Sequence, residues 1–238
     1  MTWAEWSRGV EVEPSIYAGD FLRLGVQLEA LLDAGTRIFH YDVGDGHFID
    51  EITLGPIVIE SIADFVHGRE GVIDCHLMVT EPHRHFDQVK AAGGDSVTFH
   101  VEAVGKPAQT IAQARSLGLG VGVAFNPETS VEEVASAAEG ADLVLCMSIH
   151  PGLSGQELMS EALNRIAELR RLLPDDVSIQ VDGGVNLANI ASVREAGANL
   201  LVSGSGVFWG DDPGAAYREL VNTASDRAAD MTTQGARS

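Results

Sequence analysis

The chain has 238 residues, 45% of them hydrophobic, which suffices for one sizeable core and is an ordinary share for a globular protein. Its formal net charge of −20, with Lys90 and Lys106 as the only lysines, repels phosphate backbones and argues against broad nucleic-acid or anionic-membrane binding. Cys75 and Cys146, the only cysteines, both lie in apolar runs and predict buried free thiols; with no membrane-length apolar run and no basic, apolar leader, a cytoplasmic protein is expected.

Residues 1–10 read as a short polar lead carrying two tryptophans, which could cap the bottom of the fold or fray. A short strand is predicted over 10–16. Asp20 then stands where it can cap a helix whose apolar positions Leu24, Leu28, Leu31 and Leu32 recur at helical spacing until Gly35. A strand over 38–43 is followed by a long loop, 47–56, and a helix over 57–66. The alternation then repeats: strands at 71–79, 95–101, 120–125, 141–149, 177–181 and 199–203, and helices at 83–92, 107–117, 131–138, 161–172, 187–196 and 213–223. Eight strand-then-helix units with Val-, Ile- and Leu-rich strands predict parallel strands wrapped by helices. The expected fold is a single-domain (β/α)8 TIM barrel over residues 11–223, with its active site at the C-terminal face; a doubly wound open sheet is the alternative. Residues 224–238, rich in Ser, Thr, Ala and Asp, are expected to form a flexible tail.

The chemistry-bearing residues gather at strand ends. His40 and Asp42 project from the same face of the second strand, His76 stands near the end of the third, and Asp182 follows the seventh. Two His and two Asp from three strands make a four-ligand N/O set suited to zinc, iron, manganese or cobalt, although each residue alone could be a solvated strand end. Two carboxylates approaching a pocket from opposed directions can serve as base and acid on the two faces of one carbon. Glycine-rich loops at the same end, Pro151-Gly152-Leu153-Ser154-Gly155-Gln156, Gly183-Gly184 and Gly204-Ser205-Gly206, let backbone amides approach an anion. Met78 shares the parity of His76 and is expected to line the pocket with Met147. Asp74 reads either as a partner of a metal ligand or as a buried structural pair. For His100 a structural role ranks above a pocket role, Asp45 and His47 read as turn formers, and His67, His83 and His85 as solvated.

Taken together, HxDxxDGHF at 40–48, DCHLMV at 74–79, MSxxPGxxGQ at 147–156, VDGGV at 181–185 and GS at 204–205 resemble the ribulose-phosphate 3-epimerase family and its ketose-phosphate relatives, in order from about residue 13 to 220. The resemblance implies a metal-dependent isomerase of carbohydrate metabolism in the pentose phosphate pathway. It would epimerise C3 of a small phosphorylated ketose, converting D-ribulose 5-phosphate to D-xylulose 5-phosphate through a metal-stabilised enediolate. Asp42 would be the proton acceptor and Asp182 the proton donor. One divalent ion would be held by His40, Asp42, His76 and Asp182, while Ser15 of the PSI motif and His76 would contact substrate. The family tends to assemble, so a homo-oligomer is expected. Other readings are an epimerase of a tetrulose or hexulose phosphate, or a non-catalytic sugar-phosphate-binding barrel. The chain departs from the family pattern at Gly44, where methionine is usual and whose loss is expected to widen or loosen the pocket, in residues 49–56, and in the loop that begins at His150.

Overall fold

The computed structural model describes residues 3–7, 9–152 and 155–234. Eight strands, β1 (Glu11–Pro14), β2 (Ile38–Gly44), β3 (Val72–Met78), β4 (Ser96–His100), β5 (Gly120–Phe125), β6 (Leu143–Met147), β7 (Ser178–Asp182) and β8 (Leu200–Ser203), form one parallel sheet. Its order runs from β1 through β8 and β7 back to β2, and a parallel bridge between Ser15 and His40 brings the two ends together. The sheet is therefore a barrel; the doubly wound alternative does not hold. The helices are α1 (Trp3–Trp6), α2 (Leu24–Asp33), α3 (Pro56–His67), α4 (Phe86–Ala92), α5 (Pro107–Ser116), α6 (Val131–Ala137), α7 (Ala162–Leu172), α8 (Ile190–Glu195), α9 (Ser205–Phe208) and α10 (Pro213–Gln234).

Alternation along the strands makes two cores. Outward side chains such as Phe39, Tyr41, Ile73, Cys75, Leu77, Val97 and Phe99 pack beneath the helices. The helices meet them with apolar stripes, Leu24, Leu28 and Leu31 on α2 and Ile59, Ile62 and Val66 on α3, at the spacing that puts side chains on one face. Inward side chains Ile38, Val72, Leu143, Leu145 and Leu200 fill the lower barrel together with Trp3 and Trp6. The two indoles are buried, edge to face with centroids 5.3 Å apart. The lead thus caps the bottom of the fold. Each buried indole removes roughly 150–250 Å² from water, about 4–6 kcal/mol of transfer free energy.

Element boundaries differ from the sequence expectation at several places. The helix expected over 83–92 begins as a 3-10 turn, Pro82–Arg84, and becomes α4 only after His85. α9 has four residues, too few to show a period. α10 continues to Gln234, past the expected end at 223, through a run that includes the helix formers Ala224, Arg227, Ala228 and Ala229; residues 235–238 lie outside the described residues. Both cysteines are free and buried.

Candidate active site

The register of β2 with β3 sets Asp42 opposite His76 and His40 opposite Asp74, while β6 with β7 sets Met147 opposite Asp182. All of these have inward parity, so three strands bring His40, Asp42, His76 and Asp182 to one place. Nε2 of His40 and Nδ1 of His76 each lie 3.1 Å from Oδ1 of Asp42, and 3.9 and 3.8 Å from Oδ2 of Asp182. One donor atom from each of the four falls within 4.8 Å of the others. A tetrahedron with arms of about 2.1 Å has edges of about 3.4 Å, so this set of two imidazole nitrogens and two carboxylate oxygens fits a divalent ion.

The surroundings hold these groups in different states. Burial raises the Asp42 carboxyl, but the opposing pull of His40 and His76 is greater and the group is held below the ordinary carboxylate range. Burial, reinforced by the charge of Asp42, pushes Asp182 up to about 7. For His40, burial disfavours the charged form, yet Asp42, with Asp74 and Asp182, raises it well above the usual value. His76 goes down, because burial there outweighs Asp42. Ser15 donates to Oδ2 of Asp42 at 2.6 Å, a short charge-assisted bond that fixes the carboxylate plane.

Beneath the four lies a buried polar layer. Oδ2 of Asp74 faces Nδ1 of His40 at 3.4 Å and accepts from Nε2 of Gln180 at 2.8 Å, while its Oδ1 accepts from Ser96 at 2.6 Å. The same Gln180 amide donates to Glu13, whose carboxyl is raised well above its ordinary value by burial and by Asp74. Both readings open for Asp74 have a counterpart here: it is buried and bonded to Ser96 and Gln180, and it also faces His40. On the other side, His100 is fully buried and its Nε2 lies 2.8 Å from Nε2 of His76. Burial holds His100 down at about 4 despite the neighbouring Glu102, so the ring is neutral.

Above the four opens a small cavity lined by Ser15, Asp42, Met78, Met147, Gly152, Gly155, Asp182, Gly183, Gly184, Gly204 and Ser205. Gly183 and Gly184 have φ of 116° and 69°, and a Cβ on them would fall 2.4 Å from Ile149 and from the Leu158 amide; the close approach of this turn requires glycine. His40 and His76 are wholly buried below the cavity, so His76 reaches it only through the nitrogen aimed at Asp42. Leu153 and Ser154 lie outside the described residues. Tyr17, Ile149, Val185 and Val202 also line the cavity and were missed. Carrying the parity of β6 past its end was the available signal for Ile149, two beyond Met147, whereas Tyr17 sits in the 3-10 turn Ile16–Ala18, where strand parity gives none.

Gly44 corrects an expectation. A Cβ there would meet Cδ1 of Ile49 at 2.6 Å and the carbonyl of Glu51 at 2.9 Å, so the loop after β2 already fills the space and the pocket is not widened. The loop is held by Thr53, whose hydroxyl donates to the carbonyl of Asp42 at 2.8 Å and accepts from the Gly44 amide at 2.6 Å. Asp45 does more than form a turn. Its Oδ1 accepts from the amides of His47 and Phe48, and its Oδ2 from the amide and hydroxyl of Thr80, tying the loops after β2 and β3 together. His67, expected to be merely solvated, lies 2.9 Å from Asp95.

The pattern of the Ribulose-phosphate 3 epimerase family matches residues 11–208. The chain belongs to the ribulose-phosphate 3-epimerase family. It is 37% identical to ribulose-phosphate 3-epimerase of Schizosaccharomyces pombe, over 90% of this chain and 93% of that protein. Identity is also 37% to the Bacillus subtilis enzyme, covering 89% and 98%, and 34% to that of Escherichia coli K12, covering 93% and 97%. Membership in the ribulose-phosphate 3-epimerase family makes the protein an isomerase acting on carbohydrates. Among solved structures, 3-hexulose-6-phosphate synthase superposes with a TM-score of 0.64 at 23% identity, covering 90% of this chain and 99% of that one. Orotidine 5'-phosphate decarboxylase from Pyrococcus horikoshii gives 0.65 at 14%, covering 90% and 98%. These two establish the shared barrel only. Among the described residues no helix is long and apolar enough to cross a membrane.

Proposed function

We propose that the protein interconverts D-ribulose 5-phosphate and D-xylulose 5-phosphate, with Asp42 as proton acceptor and Asp182 as proton donor at C3. The observation that carries this reading is the placement of the two carboxyls: Asp42 from β2 and Asp182 from β7 both line the one cavity, beside the two histidines. Two carboxyls that reach one pocket from different strands are what opposed proton transfer needs. Ser15 orients Asp42 toward the cavity. Met78 and Met147 provide apolar walls that exclude water from the carbon being deprotonated. The amides around Gly183, Gly184, Gly204 and Ser205, with Gly152 and Gly155 across the cavity, are assigned to the phosphate; Leu153 and Ser154 stay assigned to the same loop by sequence alone.

A divalent ion on His40, Asp42, His76 and Asp182, whether zinc, iron, manganese or cobalt, supplies Lewis-acid stabilisation for the negative charge that develops beside the carbonyl. The filled space at Gly44 removes the main reason to expect a larger sugar and favours the pentulose. A homo-oligomer belongs to this reading, supported by the exposed Phe21, Leu22 and Val26, and sedimentation tests it.

Asp42→Asn and Asp182→Asn test the assignment of roles. Each should lower turnover of D-ribulose 5-phosphate by at least about 100-fold with the fold intact. Full activity in either variant defeats the two-carboxyl mechanism. A preference for tetrulose or hexulose phosphates over ribulose 5-phosphate defeats the substrate assignment alone.

A further inference from the structure

His100 and Glu102 lie just past the floor of the site, at the end of β4 and in the 3-10 turn Val101–Ala103. The rings of His76 and His100 meet edge to edge, 24° from parallel with centroids 5.0 Å apart, and their Nε2 atoms point at each other across 2.8 Å. Phe48 covers His100 from the other side, with ring centroids 4.7 Å apart. Nδ1 of His100 faces Oε2 of Glu102 at 3.4 Å. The other oxygen of Glu102 is taken: it accepts from the Asn126 amide at 2.8 Å and from the Thr129 hydroxyl.

Only one hydrogen fits between two Nε2 atoms at 2.8 Å. A neutral imidazole carries one N–H and one lone pair, so placing that hydrogen decides both rings. If it belongs to His100, the hydrogen of His76 is on Nδ1, where it blocks a cation, and His100 turns a lone pair toward the Glu102 carboxylate. If it belongs to His76, Nδ1 of His76 is free for a cation and Nδ1–H of His100 points at Glu102. Metal-bound histidines are commonly held by a carboxylate on the second nitrogen. For His40 the Asp74 carboxylate faces that nitrogen at 3.4 Å. For His76 the carboxylate stands one ring further away.

We propose that His100 and Glu102 are positioning residues that hold His76 as its Nε2–H tautomer and so present Nδ1 to the divalent ion. The proposal rests on the reading of His40, Asp42, His76 and Asp182 as metal ligands. It follows that Glu102→Gln reverses the chain of hydrogens. Because the Asn126 amide and the Thr129 hydroxyl both donate to one oxygen of residue 102, a glutamine there keeps its carbonyl toward them and turns its amide toward His100. His100 must then accept at Nδ1 and donate from Nε2, which drives the hydrogen of His76 onto the ligating nitrogen.

The test is zinc affinity of the metal-free protein, measured by competition with a chromophoric chelator, together with 15N NMR of the histidines in zinc-loaded wild type. The expected results are an affinity loss of about 10- to 100-fold in Glu102→Gln and a His100 protonated at Nδ1 in the wild type. A Glu102→Gln variant that loses thermal stability but binds zinc within about twofold of wild type overturns the proposal and leaves the metal reading standing. A His100 protonated at Nε2 in the zinc-loaded wild type overturns it even if Glu102→Gln does not fold. Wild type that binds none of zinc, iron, manganese or cobalt overturns both this proposal and the metal reading.

Discussion

Loading the site with a divalent ion should expel protons, and the number follows from the surroundings of two side chains. In the metal-free protein burial and Asp42 raise Asp182 to about 7, so it carries about nine-tenths of a proton at pH 6, half at pH 7 and one-tenth at pH 8. Asp42, with Asp74 and Asp182, holds His40 charged against its burial, and the hydrogen on Nε2 occupies the direction that a cation needs. A ligand must be deprotonated to bind, so each of these protons leaves on loading. Asp182 alone contributes about 0.5 proton at pH 7, and His40 adds up to one more. His76 is held down and Asp42 is already ionised, so neither adds a proton. The sign is fixed: affinity for zinc strengthens as pH rises, with the share owed to Asp182 falling away toward pH 8 and that of His40, raised well above its usual value, persisting. Titration calorimetry in buffers of different ionisation enthalpy gives the proton count directly. Release of fewer than about 0.3 protons at pH 6.5, or an affinity that strengthens on acidification, refutes the picture of a protonated Asp182 beside an ionised Asp42.

Two further perturbations probe the frame around the site. Gly44→Ala forces a methyl into Ile49 and the Glu51 carbonyl, an overpacking cost of about 1–3 kcal/mol that should lower the melting temperature by several degrees; an unchanged melting temperature would mean that the loop after β2 moves aside freely. Asp45→Asn replaces a carboxylate that accepts four hydrogen bonds and is held at about 2 by backbone amides acting against burial. Because the folded value lies below the unfolded one, its stabilisation is complete above about pH 4 and is lost as pH falls toward 2; discounted for partial exposure it amounts to about 1 kcal/mol at pH 7 and about half of that at pH 3. Urea denaturation of both proteins at the two pH values measures it, and a wild-type advantage that does not shrink at pH 3 counts against the carboxylate.

Much of the site could be read from residue order because a barrel strand has a period of two. His40 with Asp42 and His76 with Met78 share a parity, and near-continuous apolar runs marked the eight strands that carry them. What escaped depends on contacts between elements. The contact of His100 with His76 needs β3 beside β4 and two rings turned edge to edge across them, and the orientation of Glu102 depends on Asn126 and Thr129 in the following unit. Gly44 misled for a related reason: a missing side chain looks like space until the fold shows Ile49 in it. The end of β6 was drawn two residues late because Ile149 is apolar, yet it belongs to the cavity wall rather than to the ladder. α9 carries too few residues for any period to register.

Exchange of the proton at C3 is the central event of the proposed reaction, and solvent-deuterium incorporation into D-ribulose 5-phosphate, followed by NMR with protein loaded in turn with zinc, iron, manganese or cobalt, measures it directly. The account predicts deuterium at C3 together with the appearance of D-xylulose 5-phosphate. Folded, metal-loaded protein that binds the sugar phosphate yet leaves C3 protonated with every metal would contradict it.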